Sequence, residues 1–561
     1  MQIDNNLANG ANTSTDWNMV DWPKAQRMVR NLRQRIFRAT CKSNFKKVRS
    51  LQKLMLRSQS NRLVSVRQVT QINHGAKTPG LDKVVVKTPA ARGKLVDELC
   101  QYQTWKAQPA KRVYIAKANG KMRPLGIVSI RDRCLQAIVK NALEPSWESR
   151  FEASSYGFRP GRGTHDAMYR IYTLANARST KKWVLDADIS GAFDNICQEY
   201  LLNTLGPTPG RELIRQWLKA GYVEKGVFHQ TDQGTAQGGV ISPLLLNITL
   251  HGMEQALGIS SSETGYKPSK RALVKYADDL VVFCKTQADA QAAKQELSQW
   301  LAERGLSLAE EKTRIVHLTE GFNFLSFNVK HYHKPGTTKT GWKLLIKPSK
   351  QAVQKFRNRL KQEWLQFKGK NVKAVLSRLN PIIRGWANYN RTEVAKKCFS
   401  DLDRYMYNRE VRYVKRSHPK KSWKWLKARY WGKLNLDRED VWVFGDKQTK
   451  RYLLKFSWFP IERHILVKGR ASPDDPELKD YWKARQTKKI KELIPSKQRL
   501  AQKQQGLCLV CRQTLFNEEE LHAHHKIAKA KGGKNRYENL SLVHLFCHQQ
   551  LHAKEKVEDE E

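Results

Sequence analysis

The stretch Leu273-Val274-Lys275-Tyr276-Ala277-Asp278-Asp279-Leu280-Val281-Val282-Phe283 sets two adjacent carboxylates between two apolar runs. Runs of this kind read as strands, which places the acidic pair at a hairpin tip. A second apolar run, Trp183-Val184-Leu185-Asp186-Ala187-Asp188-Ile189, carries two more carboxylates. By the period of two, Asp186 and Asp188 share one strand face. From residue 181 to 330 strand-like runs alternate with helical segments, the pattern of an α/β core. An acidic pair at a hairpin tip is, taken alone, most often a solvated turn.

Carboxylates converging from separate strands are hard oxygen ligands for divalent cations. Phosphoryl transfer to a growing strand needs two such cations about 4 Å apart, one activating a 3′-hydroxyl and one holding the triphosphate. The charge balance favours a polyanionic partner. The 561 residues hold 102 Lys and Arg against 52 Asp and Glu, a net charge of +50. Such an excess repels itself in a compact chain unless nucleic acid neutralises it. The length implies roughly three or four domains. No apolar run is long enough to span a membrane, and residues 1–16 are polar, without the apolar core of an export signal. A reducing, nucleic-acid-containing compartment is expected. Of nine cysteines, Cys41, Cys100, Cys134, Cys197, Cys284 and Cys398 are scattered, and three cluster near the C-terminus, where metal binding is expected before a disulfide.

Residues 17 to 72 read as basic helices, with Val29, Leu32, Ile36 and Phe37 at helical spacing. Turn signals follow from His74 to Gly80, and β-like runs flank Asn119-Gly120 between Arg112 and Ile130. After about residue 345 the pattern is helical and basic, with Trp386, Trp423, Trp425 and Trp431. Gly469-Arg470-Ala471-Ser472-Pro473-Asp474-Asp475-Pro476 reads as a linker. Behind it lies a compact Cys/His-rich unit, expected to stand apart from the rest.

Tyr276-Ala277-Asp278-Asp279 resembles the signature tetrad of reverse transcriptases, and other blocks of that family follow in order. Asp188 resembles the first catalytic aspartate, and Phe193, five residues on, matches the bulky position that screens the sugar 2′ carbon. Preferring Asp188 to Asp186 rests on that resemblance. The segments Arg112–Lys117 and Lys121–Ile127 resemble the fingers hairpin, in which Lys117 and Arg123 would neutralise the incoming triphosphate. Ser155–Gly163 looks like the template-contacting block. Gly234–Leu244 looks like the block whose glutamine, Gln237, lines the nucleotide pocket, with Ala236 where Pro is common. Glu311-Lys312-Thr313 and Phe322-Asn323-Phe324-Leu325 complete the palm, the latter as primer grip. The resemblance implies two Mg2+ held by Asp188, Ile189, Asp278 and Asp279, with dNTPs as substrates.

Arg378-Leu379-Asn380-Pro381-Ile382-Ile383-Arg384-Gly385-Trp386-Ala387-Asn388-Tyr389 resembles the thumb motif of group II intron maturases, which bind intron RNA and assist its splicing. The same helix is also expected to bury Ile382, Ile383 and Trp386 in a core. Cys508-Leu509-Val510-Cys511 and His544-Leu545-Phe546-Cys547 present two pairs at the spacing of a structural Zn2+ site. His524-His525, Asn539, His548 and His552 accompany them, the last two one helical turn apart. This constellation resembles an HNH endonuclease. The resemblance makes His525 the general base, makes His524, His548 and His552 ligands of a divalent catalytic metal (Mg2+ foremost), and has Asn539 orient the base-bearing loop. A zinc-ribbon DNA-binding module is the plainer alternative.

The chain is thus expected to be a multidomain α/β protein. Its parts would be an N-terminal basic helical extension (1–85), right-hand fingers and palm (86–335), an α-helical thumb or maturase domain X (345–460), a basic DNA-binding segment and linker (461–500) and a ββα-metal HNH domain (501–561). The family expected is that of group II intron-encoded proteins, acting in the cytoplasm on the nucleoid with intron RNA and target DNA as partners. A maturase with a lapsed polymerase and a reverse transcriptase serving a defence system are the other classes considered. Oligomeric state is left open.

Overall fold

The computed structural model describes residues 14–101, 105–116, 120, 122–260, 269–336 and 339–560. At its centre the strand Trp183–Asp188 lies between Asp279–Cys284 and Arg314–His317, with Ala272–Tyr276 outermost, in a four-stranded antiparallel sheet. The unbroken apolar runs have a simple cause, since both faces of this sheet are covered. Leu185, Ala187, Leu273, Leu280 and Val282 pack on one side, into a core shared with Leu245 and Leu297. Val184, Val274, Val281 and Phe283 point to the other, into a core with Met168, Phe322 and Phe327. Register then fixes the acids: Asp188 lies directly opposite Asp279, and Tyr276 pairs with Asp279 around a turn of Ala277 and Asp278.

That turn is held from outside. Ala277 sits at φ +59°, a conformation costing an alanine about 1 kcal/mol or more. The main chain of Tyr156 donates to the Lys275 carbonyl at 2.9 Å. At Gly157 a Cβ would lie 2.3 Å from the Ala277 nitrogen, so only glycine lets the block Ser155–Gly163 touch the hairpin tip.

The hairpin of Ala110–Ala116 and Met122–Ile127 stands beside this sheet, with Ile115 paired to Arg123, and its first strand also pairs with Tyr222–Glu224. Helices Trp22–Cys41, Phe45–Arg57 and Gln59–Arg67 pack on the long helix Ile130–Glu148. Asp21 caps the first of them, accepting from the Lys24 N–H, and Val29, Leu32, Ile36 and Phe37 form its buried stripe. Beyond the sheet, helices Lys350–Leu365, Val372–Asn390 and Lys396–Ser417 build a second helical body. Leu379, Ile383 and Ala387 are buried on one face of the middle helix, and Trp386 stacks on Phe356 with ring centroids 4.5 Å apart. Ile382 and Trp386 are only partly buried, so of the three expected core residues Ile383 alone is fully enclosed.

The C-terminal unit is a hairpin of Leu521–His525 and Leu540–His544 followed by the helix Leu545–Glu560. Its placement differs from the sequence expectation. Cys508, Cys511, Leu542, Val543 and Cys547 share one core with Trp17, Trp22, Leu63, Val66 and Val69 of the N-terminal region. Gln550 donates to the carbonyls of Asn18 and Val20 at 2.8 and 3.0 Å. The linker-like segment is anchored too: Arg33 grips Asp474 with two bonds of 2.8 and 2.7 Å while reaching Glu144 at 2.8 Å. Arg162 donates to the Gly469 carbonyl at 2.7 Å, and the Trp482 indole donates to the Ser472 carbonyl at 2.8 Å. Glycine and proline there bend the chain without freeing it. No helix among the described residues is long and apolar enough to cross a membrane.

Candidate functional site

Asp188 and Asp279 face each other where two strands end, with Asp278 in the adjoining turn, all three partly buried. Burial pushes the Asp279 carboxyl up to about 7, with the charges of Asp278 and Asp188 adding to it; Asp278 is raised as well, first by burial. Acids raised in this way by burial and mutual repulsion gain from nearby positive charge. Lys312 supplies part of that charge, its Nζ lying 2.6 Å from Asp188 Oδ2. Asp186, on the same strand face, is instead occupied by Arg314 at 3.2 Å. Ile189 could offer only its main-chain carbonyl, and its N–H donates to the Asp278 carbonyl at 3.2 Å, tying the two acidic segments together.

A raised carboxylate makes a prediction with a definite sign. A group whose folded pKa lies above its unfolded value contributes stability at low pH and loses it as pH rises through the folded pKa. For Asp279 that window runs from about 4 to about 7. In EDTA, Asp279→Asn should melt with the parent chain at about pH 3.5, where both side chains are neutral in the folded and unfolded chains, and above it at pH 8. Equal melting temperatures at both pH values, read by scanning fluorimetry, would contradict the assignment of strain to this carboxyl.

Phe193 is buried just past the first strand, with Phe158 edge-on at 6.2 Å. The Thr235 N–H donates to the Phe193 carbonyl at 2.7 Å, and the Gly126 N–H to the Gln237 carbonyl at 2.9 Å, so the Gly234–Leu244 loop bridges sheet and hairpin. Ala236 keeps this loop closed without proline, its carbonyl accepting from Gly239 N at 2.9 Å and Ser242 Oγ at 2.8 Å. Gln237 Oε1 is buried with no partner among the described residues, as suits an acceptor meant for a ligand. Arg123 is exposed on the hairpin, and its charge pulls against the raised Asp278 carboxyl. Lys117 lies outside the described residues. Sequence reading missed Arg112, which lies over the Tyr222 ring at 3.9 Å and reaches Asp194, next to Phe193, also at 3.9 Å. Nothing in the local pattern separates it from neighbouring cations.

In the C-terminal unit the ligand atoms of Cys508, Cys511, His544 and Cys547 all lie within 4.8 Å of one another, and those of His524, His548 and His552 form a second such group. The first set suits Zn2+ in donor chemistry. His544 turns Nδ1 to the Cys511 sulfur at 3.3 Å and Nε2 to the Thr514 carbonyl at 3.1 Å, the outer contact that orients a ligand imidazole. Sequence reading also missed Arg67, buried beneath Trp22 at 4.5 Å and donating to Cys547 Sγ at 3.1 Å.

The second set suits a divalent metal: Nε2 of His548 and of His552 face each other at 3.3 Å, and His524 Nδ1 is buried and unpartnered among the described residues. Burial holds the His548 imidazole down at about 4, with His552, His524 and His522 adding to the effect, so it is neutral and free to ligate. His525 follows His524 on the strand and so points to the opposite face, its Nε2 also unpartnered. Asn539 clamps the loop just beyond, accepting from Ile527 N at 2.8 Å and donating to the Ile527 and Lys534 carbonyls at 3.0 Å.

Fold and sites together define a nucleic-acid polymerase that carries a Cys/His-rich nuclease unit. Comparison with known families agrees. Residues 17–99 match the N-terminal domain of reverse transcriptase, 115–329 the reverse transcriptase (RNA-dependent DNA polymerase), 353–431 the group II intron maturase-specific domain, and 508–554 the HNH endonuclease. Protein YkfC of Escherichia coli (strain K12) is 36% identical over 310 residues, covering 48% of this chain and 81% of YkfC. The group II intron-encoded protein LtrA of Lactococcus lactis subsp. cremoris is 30% identical over 334 residues, covering 48% of this chain and 55% of LtrA. The chain thus spans about half the length of LtrA. A structure of apo telomerase from Candida tropicalis, at 15% identity and a TM-score of 0.30, covers 40% of this chain and 53% of that one and adds nothing to the assignment. The chain belongs to the group II intron-encoded proteins and joins a reverse transcriptase, a maturase-specific domain and an HNH endonuclease domain.

Proposed function

We propose that the protein copies its intron RNA into DNA from a nick made by its own C-terminal unit, and that it assists splicing of the same RNA. The observation that carries this reading is the facing of Asp188 and Asp279 across one strand pair, with Asp278 at the turn and Phe193 beside them. Two Mg2+ bound there would activate the primer 3′-hydroxyl and bind the triphosphate. Asp188, Asp278, Asp279 and the Ile189 carbonyl would hold them. Lys117 and Arg123 draw in the dNTP, Gln237 accepts from it, and the Phe193 ring excludes a 2′-hydroxyl.

In the C-terminal unit His525 takes a proton from the attacking water, and Asn539 holds the loop that follows it. His524, His548 and His552 would bind the divalent metal, Mg2+ foremost, and Cys508, Cys511, His544 and Cys547 a structural Zn2+. We divide the chain at 1–85, 86–335, 345–460, 461–500 and 501–561, with the thumb holding intron RNA and the basic 461–500 segment lying along target DNA. The ribonucleoprotein works in the cytoplasm, on the nucleoid.

The deciding experiment expresses the whole intron with its reading frame, purifies the protein without nuclease, and sequences the RNA it retains. An intron RNA containing this reading frame, enriched over bulk transcripts, is the expected result. Retention of bulk RNA in proportion to abundance would overturn the proposal.

A further inference from the structure

The helical body beyond the polymerase sheet contains a cavity of about 500 Å3, lined among others by Asp403, Tyr407, Glu410, Trp442, Phe444 and Lys455. Its two acids differ. Asp403 is fully engaged, its oxygens accepting from the N–H groups of Phe456 and Ser457 at 2.7 and 3.0 Å. Lys455 pairs with Asp440 at 3.0 Å. Glu410, by contrast, is buried on the helix Lys396–Ser417 and uses one oxygen only, Oε2, which accepts from the Trp431 indole at 3.1 Å. No other donor among the described residues bonds to it. Glu410 thus keeps free acceptor sites, on Oε1 and on a second lone pair of Oε2, at the cavity wall.

Around the cavity the surface is aromatic and cationic. Trp423, Trp425 and Trp442 are exposed. Lys427 lies over Trp442 at 4.4 Å, Lys421 over Trp425 at 5.5 Å, and Tyr407 meets Trp442 edge-on at 6.1 Å. Lys420 and Lys424 are exposed beside them. Exposed indoles set among lysines form a stacking platform for unpaired bases, and the cations track the phosphates. A protein-binding groove would not need such a charge excess around a single buried acid.

We propose that this cavity receives one unstacked nucleobase of single-stranded RNA, and that Glu410 selects guanine. The choice of base follows from donor patterns. Oε1 and the second lone pair of Oε2, whose first is taken by Trp431, can accept from two adjacent donors, and guanine alone among the four bases places two, N1–H and the N2 amine, side by side on its pairing edge. Adenine and cytosine set an acceptor beside their amine, and uracil flanks its N–H with carbonyls. Tyr407 and Trp442 supply faces for the ring. The proposal rests on the reading of this domain as RNA-binding and deepens it.

The test uses the full chain and an eight-nucleotide RNA of uridines with one central guanosine, compared with the same oligomer carrying inosine (no N2 amine) or 1-methylguanosine (no N1–H). Fluorescence anisotropy should show the guanosine oligomer binding on the order of tenfold tighter than either. Glu410→Gln should bring the guanosine oligomer down to the inosine level, and Trp442→Ala, at an exposed position, should weaken all three. If Glu410→Gln does not fold, the three oligomers on the parent chain decide alone. Equal affinities for guanosine and inosine overturn the proposal, as does equal binding of the deoxyribose oligomer. Salt-dependent binding that ignores the base but falls in Lys424→Glu sinks the pocket and leaves the RNA-binding domain standing. No binding of any of the oligomers sinks both.

Discussion

Asp278→Ala should abolish DNA synthesis on an RNA template, by at least about a hundredfold, while the protein stays folded and keeps its RNA. The fold should tolerate the change because Asp278 sits in a two-residue turn and burial raises its carboxyl, so its charge opposes folding. RNA affinity should survive because it comes from cations spread over the chain, of which 102 are Lys or Arg, and its slope against salt should be unchanged. Asp186 gives an internal control. It shares a strand face with Asp188 but is already held by Arg314, so Asp186→Asn should retain most synthesis where Asp188→Asn loses it. Primer extension at the parent rate by Asp278→Ala would remove the polymerase assignment.

The second large effect separates the two groups of C-terminal ligands. His525→Ala should cut DNA nicking by on the order of 10² to 10⁴ without loosening the fold, since a general base acts on the barrier. Cys508→Ala should lose zinc, whose binding free energy is part of folding. From sequence alone the damage would stop at a separate C-terminal unit. The structure extends it, because Cys508 and Cys547 share a core with Trp17, Trp22, Leu63 and Val66. These N-terminal helices in turn pack on Ile130–Glu148, beside the fingers hairpin. Cys508→Ala should therefore open both ends of the chain to protease and lower primer extension, whereas His525→Ala does neither. Metal analysis, limited proteolysis and nicking of a DNA target by the ribonucleoprotein check this. Nicking by His525→Ala at the parent rate would return the unit to a zinc-bearing DNA-binding module.

What the sequence reveals here is what local periodicity encodes. The stripe Val29, Leu32, Ile36 and Phe37 is buried as its spacing implies, and the runs around Asp188 and Asp279 form strands because both faces of their sheet need apolar cover. The Cys/His spacings likewise bring their ligand atoms into two groups. Contacts between remote segments leave no such trace. Arg67 is one cation among many in the chain until Cys547 and Trp22 close around it. The bend at Gly469–Pro476 has the composition of a free linker, and its anchors, Arg33, Arg162 and Trp482, lie elsewhere in the chain. Arg112 escapes notice for the same reason, since its partners Tyr222 and Asp194 come from other elements.

The core shared by the two ends also sets an order of events during synthesis. Trp17, Trp22 and Val66 leave the ribosome long before the surface that covers them, which includes Leu542, Val543 and Cys547. At roughly 5–20 residues per second the first helices wait tens of seconds with that apolar face uncovered. The polymerase can complete its own sheet in that interval, yet this core is not closed until the segment from Cys508 to Cys547 arrives. A transcript cut short before Cys547 would thus yield a protein with a finished catalytic sheet and an open hydrophobic flank, one that chaperones and proteases would recognise as unfinished.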